Sequence, residues 1–350
     1  MSVFGQGIVR GFRRFRQAAW WVHVLGTLAV VLAVQIVIVG VLAALYLDFV
    51  REHGPIGSEI PSQTSPSAEQ AAELARRFAP VLRYDSRELF VPIPQAAYVS
   101  RTRLKEEKGK SIRDVNPAPT VEDLPEEQGS CLLSAGCHYL LDVRGAEPDP
   151  PKPSQRAYDA IENQLLRTGT RPTVYAHVTQ YDDTGEYAVQ YWFLYFFNFR
   201  LNEHESDWEQ ITFRLDADMN PVDAFYSEHE GGATHSWAAI EKDGDHPTNY
   251  PALGSHANYF EPGRHPVEVG CRRVIGSVRQ CFRGRRLLAD VADNGGTVVK
   301  PEGYELSELA GPIYIGSYGS GNYVALTRQP AILSDPRTRT AWRDPLRPLR

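Results

Sequence analysis

The chain has 350 residues, of which 42% are hydrophobic and 23% are charged. This length is enough for one large domain or two small ones. The formal net charge is −6, and because the first 47 residues hold four arginines and no acidic residue, the rest of the chain carries −10. A domain this acidic is a poor candidate for binding nucleic acid, so we exclude that class of partner.

The amino-terminal segment decides the predicted compartment. Residues 1–19 are basic, and Trp20–Leu47 is apolar except for three polar side chains. A helix over that segment would be about 42 Å long, enough to span a bilayer with some tilt. A signal peptide has a shorter apolar region of roughly 7–15 residues, although Val41-Leu42-Ala43 also resembles a cleavage site. We predict a retained single-pass cell-membrane anchor with its amino terminus in the cytoplasm and the domain outside.

Beyond the anchor the sequence predicts a stalk, one domain and a tail. Residues 48–66 are rich in Gly, Pro and Ser, which is typical of a stalk. The predicted domain covers residues 67–333. From residue 334 to residue 350 Pro and Arg dominate, which predicts a poorly packed tail.

The first half of the domain predicts two helices. Ser67 with Gln70 forms a capping-box pattern before an apolar stripe that Pro80 ends. Ser154–Leu166 has the pattern of an amphipathic helix. Between them, residues 101–130 are highly charged and predict a surface excursion.

The second half predicts strands separated by turn sequences such as Asp182-Asp183-Thr184-Gly185. The predicted strands are Thr173–Gln180, Tyr187–Phe199, Asp207–Leu215, Ala224–Ser227, Ser236–Ile240 and a stretch around Tyr250–Tyr259. Such spacing predicts a mainly β domain, a β-sandwich with a few peripheral helices.

Four cysteines lie beyond the anchor as two locally spaced pairs. An even number outside the cytoplasm favours disulfides, which we predict as Cys131–Cys137 and Cys271–Cys281. A zinc site built from all four is the alternative, but neither pair has the usual short spacing of zinc ligands.

Two carboxylates follow the most apolar strand. Asp207 and Glu209 share one face of their predicted strand because side chains alternate with period two, and His204 comes just before them. Holding two carboxylates at the mouth of a core-facing row is costly unless a bound cation offsets their charge. This set suits Mg, Mn or Ca, and Zn less. The alternative is a strand end that Arg200 or Arg214 neutralises.

Two further histidines are candidates for acid–base catalysis. His229 ends a strand before Gly231-Gly232, where a ligand can approach the backbone closely. A solvated histidine in a hairpin loop is the alternative for this position. His256 follows Gly254-Ser255 and is a candidate base or additional ligand.

Four motifs in order resemble the vacuolar protein sorting sixty-two-like family, whose biochemical role is poorly defined. They are APVLRYDSRELFVP, YWFLYFFN with HESDWE, YSEHEGG, and HPTNYPALGSHANYFEPG, which together cover residues 79–263.

HESDWE also resembles the heptapeptide of the necrosis- and ethylene-inducing peptide-like proteins, which are secreted β-sandwich toxins. That resemblance implies that His204, Asp207 and Glu209 hold a divalent cation that engages a membrane sphingolipid headgroup. The family has a second histidine where this chain has Ser206. Its upstream aspartate is absent, and Asn198 is the nearest candidate substitute.

These observations leave three classes of function open. The first is a cation-dependent module that binds an envelope lipid or glycan headgroup at the membrane. The second is a metal-dependent hydrolase of phosphodiester or glycosidic bonds, with Asp207 or Glu209 as a ligand and His229 or His256 as the acid–base group. The third is a structural envelope protein whose metal stabilises the fold.

Overall fold

The computed structural model describes residues 60–108, 111–127, 137–146, 155–200, 203–229, 231–267, 271–274, 278–281, 289–319 and 333–350, with Gln35 and Gly40. The chain forms two compact units. The main unit comprises Ile60–Val267 and Gly284–Arg350, and the second comprises Met1–Glu59 and Glu268–Arg283.

The described residues are mainly β with few helices. The strands are β1 (Gln63–Thr64), β2 (Val81–Arg83), β3 (Thr102–Lys108), β4 (Ser111–Asn116), β5 (Cys137–Val143), β6 (Thr173–Tyr181), β7 (Tyr187–Asn198), β8 (His204–Leu215), β9 (Pro221–Glu228), β10 (Gly231–Ser236), β11 (Lys242–Asp243), β12 (His246–Pro251), β13 (Asn258–Tyr259), β14 (Gly263–Pro266), β15 (Cys271–Val274), β16 (Val278–Cys281), β17 (Ala289–Ala292), β18 (Val298–Val299) and β19 (Glu305–Ser307). The α-helices are α1 (Ala68–Arg77), α2 (Gln95–Val99), α3 (Gln155–Arg167) and α4 (Thr340–Arg343).

The largest sheet of the main unit has seven strands in the order β1-β6-β7-β8-β9-β10, with β19 also pairing β6. Only the β19–β6 pair is parallel among its strand pairs in the described residues. All twelve residues of β7 are buried, because the strand is central and both of its faces are covered. This burial explains the unbroken apolar run in the sequence.

Smaller sheets complete the main unit. Strands β11-β12-β2-β18 form one sheet with β13 paired to β12, strands β4-β3-β5 form a second, and β14-β17 form a third. The parallel pairing of β2 with β12 places the strand after helix α1 beside the strand that precedes the segment containing His256. The second unit contains the antiparallel hairpin β15–β16.

The predicted mainly β domain is confirmed, and most predicted strands and both predicted helices are present. The Ser67 hydroxyl accepts the backbone N–H of Gln70 at 3.2 Å, as the capping pattern predicts. The described part of the charged segment contains β3 and β4, and β4 is largely exposed, as expected for a surface excursion. One strand prediction was wrong, because Trp237–Ala239 forms a 3₁₀ turn.

The tail prediction was also wrong, because residues 333–350 pack on the main unit. Leu346 is fully buried in a cluster with Tyr181 and Ala188. The Trp342 ring stacks on the His177 ring with their centroids 3.9 Å apart. The high Pro and Arg content of the tail led to the wrong prediction, because Leu346 and Trp342 are the residues that hold it to the domain. The predicted stalk is likewise shorter, since Gln63 pairs with Tyr181 in the large sheet.

The anchor and the disulfides stay predictions. No helix among the described residues is long and apolar enough to cross a membrane. Trp20–Leu47 lies outside those residues apart from Gln35 and Gly40, which are both helical. Cys131 also lies outside them, whereas the β15–β16 register places the Cys271 backbone directly opposite that of Cys281.

Candidate functional site

The two predicted carboxylates lie on the central strand β8. Asp207 is paired with Tyr195 of β7, and Glu209 is paired with Phe193. Two and four residues beyond Glu209, Ile211 and Phe213 are fully buried in the core. The carboxylates therefore stand at the end of a core-facing row, as the alternation predicts.

Ser206 interrupts the alternation just before Asp207. Its backbone has a left-handed φ of 56°, which is uncommon for a residue other than glycine. On one side of it, the Glu205 carboxylate accepts hydrogen bonds from the Val143 amide at 3.1 Å and the Tyr158 hydroxyl at 3.0 Å. On the other side, Asp207 contacts an entirely different set of residues. Ser206 thus separates a structural carboxylate from the candidate site.

Asp207 belongs to a buried ionic cluster. Its Oδ2 accepts hydrogen bonds from Asn198 Nδ2 and His256 Nδ1, both at 2.9 Å. On the opposite edge of the imidazole, Nε2 lies 3.6 Å from Oε1 of Glu88. The His256 ring stacks on Tyr195 at 3.9 Å with an interplanar angle of 5°. His256 is completely buried, so it acts on Asp207 and Glu88 and does not face solvent.

The opposite charges of His256 and its two carboxylate partners stabilise each other in their ionised forms. Burial lowers the pKa of His256, but the Glu88 and Asp207 carboxylates outweigh burial and raise it to about 10. Burial raises the pKa of Glu88, but His256 and the amides of Gly254 and Phe90 bring it below its usual value. His256 is therefore a cation held between two carboxylates.

This cation replaces the predicted arginine partner. The guanidinium of Arg214 pairs with Asp223 and Glu186, while that of Arg200 lies near Asp290. The alternative in which either arginine neutralises Asp207 was wrong. Instead, His256 neutralises Asp207, because the fold places this histidine beside β8 although it lies 49 residues further along the chain.

Glu209 is held by two polar side chains from neighbouring strands. Its Oε2 accepts hydrogen bonds from Ser227 Oγ at 2.8 Å and from Asn258 Nδ2 at 3.2 Å. Burial raises the pKa of Glu209 well above its usual value, and the charge of Asp207 raises it further. The positive charges of His256 and Arg339 lower the pKa of Glu209, but they offset only part of this rise.

The donor chemistry at this strand suits a divalent cation. A backbone carbonyl only accepts, so the 2.7 Å contact between His204 Nδ1 and the Ser206 carbonyl fixes the proton on Nδ1. In the neutral tautomer with its proton on Nδ1, a histidine carries its lone pair on Nε2, which is the usual arrangement of a metal-ligating histidine. The hydrogen bonds that described residues donate to Asp207 and Glu209 all end on Oδ2 and Oε2, and none of them ends on Asp207 Oδ1 or Glu209 Oε1.

The spacing of these donors is less favourable. Across the described ranges, no three His, Cys, Asp or Glu side chains gather as a metal ion requires. The Asn198 amide nitrogen donates to Asp207, and its oxygen already accepts the Arg200 amide at 3.0 Å. Among the described residues, Asp207 and Glu209 are therefore two neighbouring carboxylates on one strand and not part of a closed cage of ligands.

His229 forms a second histidine–carboxylate pair. Its Nε2 lies 2.7 Å from Oδ2 of Asp290, which also accepts the Tyr259 hydroxyl at 3.0 Å. The His229 side chain is 39% exposed while that of Asp290 is 3% exposed. Burial lowers the pKa of His229, but Asp290 and, to a lesser degree, Asp207 raise it above its usual value. His229 follows Glu228, which pairs with Gly231, so His229 opens a two-residue hairpin turn between β9 and β10. Its left-handed φ of 49° is what such a turn requires.

Sequence reasoning missed two acidic residues of this region. Glu88 was visible inside the motif RYDSRELFVP, but nothing local shows that its carboxylate turns toward His256. Asp290 lies in a segment without a recognised motif, 61 residues from its partner His229. Only long-range contacts reveal either residue.

No protein-family model and no curated protein matches this chain, so the resemblance to the vacuolar protein sorting sixty-two-like family gains no support.

Solved structures of necrosis- and ethylene-inducing proteins are similar to it at low identity. "NLPPya in complex with glucosamine" is 16% identical with a TM-score of 0.28, covering 57% of this chain and 70% of that one. "NLPPya in complex with mannosamine" is 19% identical with a TM-score of 0.31, covering 57% and 71%. Necrosis and Ethylene inducing Protein 2, from the causal agent of cocoa's Witches Broom disease, is 16% identical with a TM-score of 0.29, covering 58% and 71%. TM-scores this low carry no conclusion about ligand or mechanism.

Proposed function

We propose that this protein is a membrane-anchored binding module whose β-sandwich-like domain uses a divalent cation to hold a lipid or glycan headgroup. The observation that carries this proposal is the pair Asp207 and Glu209 on one strand. Each carboxylate accepts its hydrogen bonds from described residues on one oxygen, and none of those bonds ends on the other oxygen. A headgroup would have to reach the cation at Glu209, which is partly exposed, because Asp207 is buried.

The electrostatics favour a cation at this pair. Glu209 is held next to a second carboxylate under conditions that raise its pKa, and His256 and Arg339 oppose that rise only in part. Ionising both carboxylates is therefore costly without a further positive charge between them. Mg²⁺ commonly binds through one or two carboxylates and completes its shell with water and ligand oxygens. Mg, Ca and Mn therefore fit this donor set better than Zn, because His204 would be the single imidazole.

Glu209→Gln is the sharpest test of cation binding. Glutamine matches the neutral form of Glu209 in shape, so the fold is retained while the anionic oxygen is lost. Calorimetry on the full-length protein in detergent should show one cation bound to the wild type and about 10-fold or weaker binding to the variant. Asp223→Asn, on the same sheet and paired with Arg214, is the matched control and should bind normally. The proposal is refuted if calorimetry shows no heat of cation binding to the wild type and chelator leaves its melting temperature unchanged.

His204 reports which cation binds. His204→Ala should weaken Mg²⁺ or Ca²⁺ binding only slightly, because imidazole is a minor ligand for hard ions. The same change should weaken Zn²⁺ binding strongly. Titrating each metal into this variant therefore separates the two cases.

A metal-dependent hydrolase of phosphodiester or glycosidic bonds is the second candidate. It is favoured by His229, whose exposed ring is backed by the buried Asp290 carboxylate in the manner of an oriented general base. His229→Gln should then abolish turnover of such substrates, while His235→Gln, which alters an exposed histidine on β10, should not. If no substrate turns over with or without chelator, the binding module is favoured.

The anchor has its own test. Protease added to intact cells should degrade the domain and leave a small membrane-bound fragment containing Trp20–Leu47. A soluble mature chain beginning near Ala44 would show instead that the segment is cleaved.

A further inference from the structure

A guanidinium lies behind the carboxylate pair. Asp207 and Glu209 occupy one face of β8, so Trp208 between them faces the opposite side of the sheet. Trp192 of β7 lies on that opposite side, and the Arg339 guanidinium is placed over its ring, 5.7 Å from the centroid. Arg339 Nη1 also donates a hydrogen bond of 3.1 Å to the Trp208 carbonyl oxygen. A positive charge is therefore fixed behind the part of the strand that carries both carboxylates.

The carboxyl-terminal segment, residues 333–350, carries this guanidinium. Just beyond Arg339, the Ala341 carbonyl accepts a hydrogen bond from Gln190 Nε2 of β7 at 2.9 Å. The Trp342 ring stacks on the same sheet. The segment forms helical turns and no strand, so it can separate from the sheet without breaking any strand pairing. Its separation would take the charge away from β8.

The carboxylates that act most strongly on Arg339 are those of the candidate site. Burial lowers the pKa of Arg339 to about 10, and Glu209, Asp207 and then Asp335 oppose that fall. Asp335 has a cation of its own, because Arg337 Nη2 lies 2.7 Å from its Oδ2. At neutral pH the charge of Arg339 is therefore present and acts chiefly on Glu209 and Asp207.

Two cations of the protein thus border the carboxylate pair from different sides. His256 contacts Asp207 directly, and Arg339 lies behind the strand. Both weaken the attraction of the pair for an added cation. Arg339 also disfavours a proton on Glu209, but a proton carries one positive charge whereas a divalent ion carries two. The repulsion of the divalent ion is the larger effect, so the net result of Arg339 is weaker cation binding.

We propose that Arg339 is a built-in competitor that lowers the affinity of Asp207 and Glu209 for a divalent cation, and that displacing the carboxyl-terminal segment strengthens cation binding. This inference rests on the proposed function and deepens it, because it names how the cation site is regulated. The regulator is a charge held by the fold, and its position depends on whether the segment is docked.

Calorimetry of Mg²⁺ binding to the full-length protein in detergent tests the inference. Arg339→Gln removes the charge but keeps a side chain that can donate to the Trp208 carbonyl, and it should bind Mg²⁺ about 10-fold more tightly than the wild type. Arg339→Lys keeps the charge and should bind much more weakly than Arg339→Gln. Arg343→Gln is the matched control and should bind as the wild type does, because Arg343 is an exposed arginine of the same segment whose Nη2 donates to the Thr338 carbonyl at 3.1 Å.

Trp342→Ala tests the same charge without altering it. Loss of the stacked ring loosens the segment that carries Arg339, so this variant should also bind Mg²⁺ more tightly, by less than Arg339→Gln. If far-UV circular dichroism shows that Arg339→Gln does not fold, the Trp342→Ala titration decides in its place.

The outcomes separate this inference from the proposed function. Mg²⁺ binding to folded Arg339→Gln that equals the wild type or is weaker overturns the inference, and so does equal tightening by Arg339→Lys, which would assign the effect to packing. In both cases the wild type still binds Mg²⁺ and the proposed function stands. Absence of Mg²⁺ binding to the wild type and to Arg339→Gln refutes the proposed function and the inference together.

Discussion

The buried His256 cation predicts a strong dependence of stability on pH. Its pKa is about 10 in the folded protein against an ordinary histidine value of 6.5, because Glu88 and Asp207 outweigh the effect of burial. A base whose pKa is raised on folding stabilises the protein fully below its unfolded pKa and loses that contribution as pH rises through the folded pKa. The window is therefore pH 6.5 to about 10.

The size of this effect follows from linkage. A pKa raised from 6.5 to about 10 corresponds to roughly 5 kcal/mol of unfolding free energy, since one pKa unit is about 1.4 kcal/mol. No discount for solvent screening applies because His256 is completely buried. For a domain of this size, that loss corresponds to a fall in Tm of about 10–20 °C.

Urea unfolding in the presence of chelator measures this loss. The wild type should lose roughly 5 kcal/mol between pH 6.5 and pH 10, and His256→Gln should show a correspondingly flatter dependence. The two proteins should differ most at pH 6.5 and approach each other near pH 10. Parallel curves for wild type and variant would refute the assignment of His256 as a buried cation.

Three further predictions concern other parts of the protein. Glu162 is buried with its Oε2 unpartnered among the described residues, and burial raises its pKa well above its usual value. Glu162→Gln should therefore stabilise the protein by about 1–3 kcal/mol at pH 7 in urea unfolding, with the gain vanishing below pH 4.5, the ordinary pKa of a glutamate. Leu346→Ala should destabilise by about 2–5 kcal/mol and the partly exposed Leu349→Ala by less, and equal melting temperatures would contradict the packing of the carboxyl-terminal segment. Non-reducing peptide mapping should recover Cys271 joined to Cys281, and a crossed pairing would show that the hairpin register is not the one described.

Much of the fold could be predicted because its signals are local. The period-two row from Asp207 to Phe213 requires only that the segment be a strand, and the Ser67 cap requires only residues one turn apart. The tail was mispredicted for the opposite reason. Proline and arginine describe its composition, but Leu346 is ordered by Tyr181, which is distant in sequence.

By itself, the sequence determined a mainly β domain and the strand face that carries Asp207 and Glu209, since alternation along one strand is a property of the backbone. The tertiary structure alone decided what surrounds those carboxylates. Asp207 is paired with a histidine 49 residues away, and His229 with an aspartate 61 residues away. Such pairings depend on strand order and on which loop returns to which edge. Charge partners are therefore chosen by three-dimensional proximity, which composition and spacing do not encode.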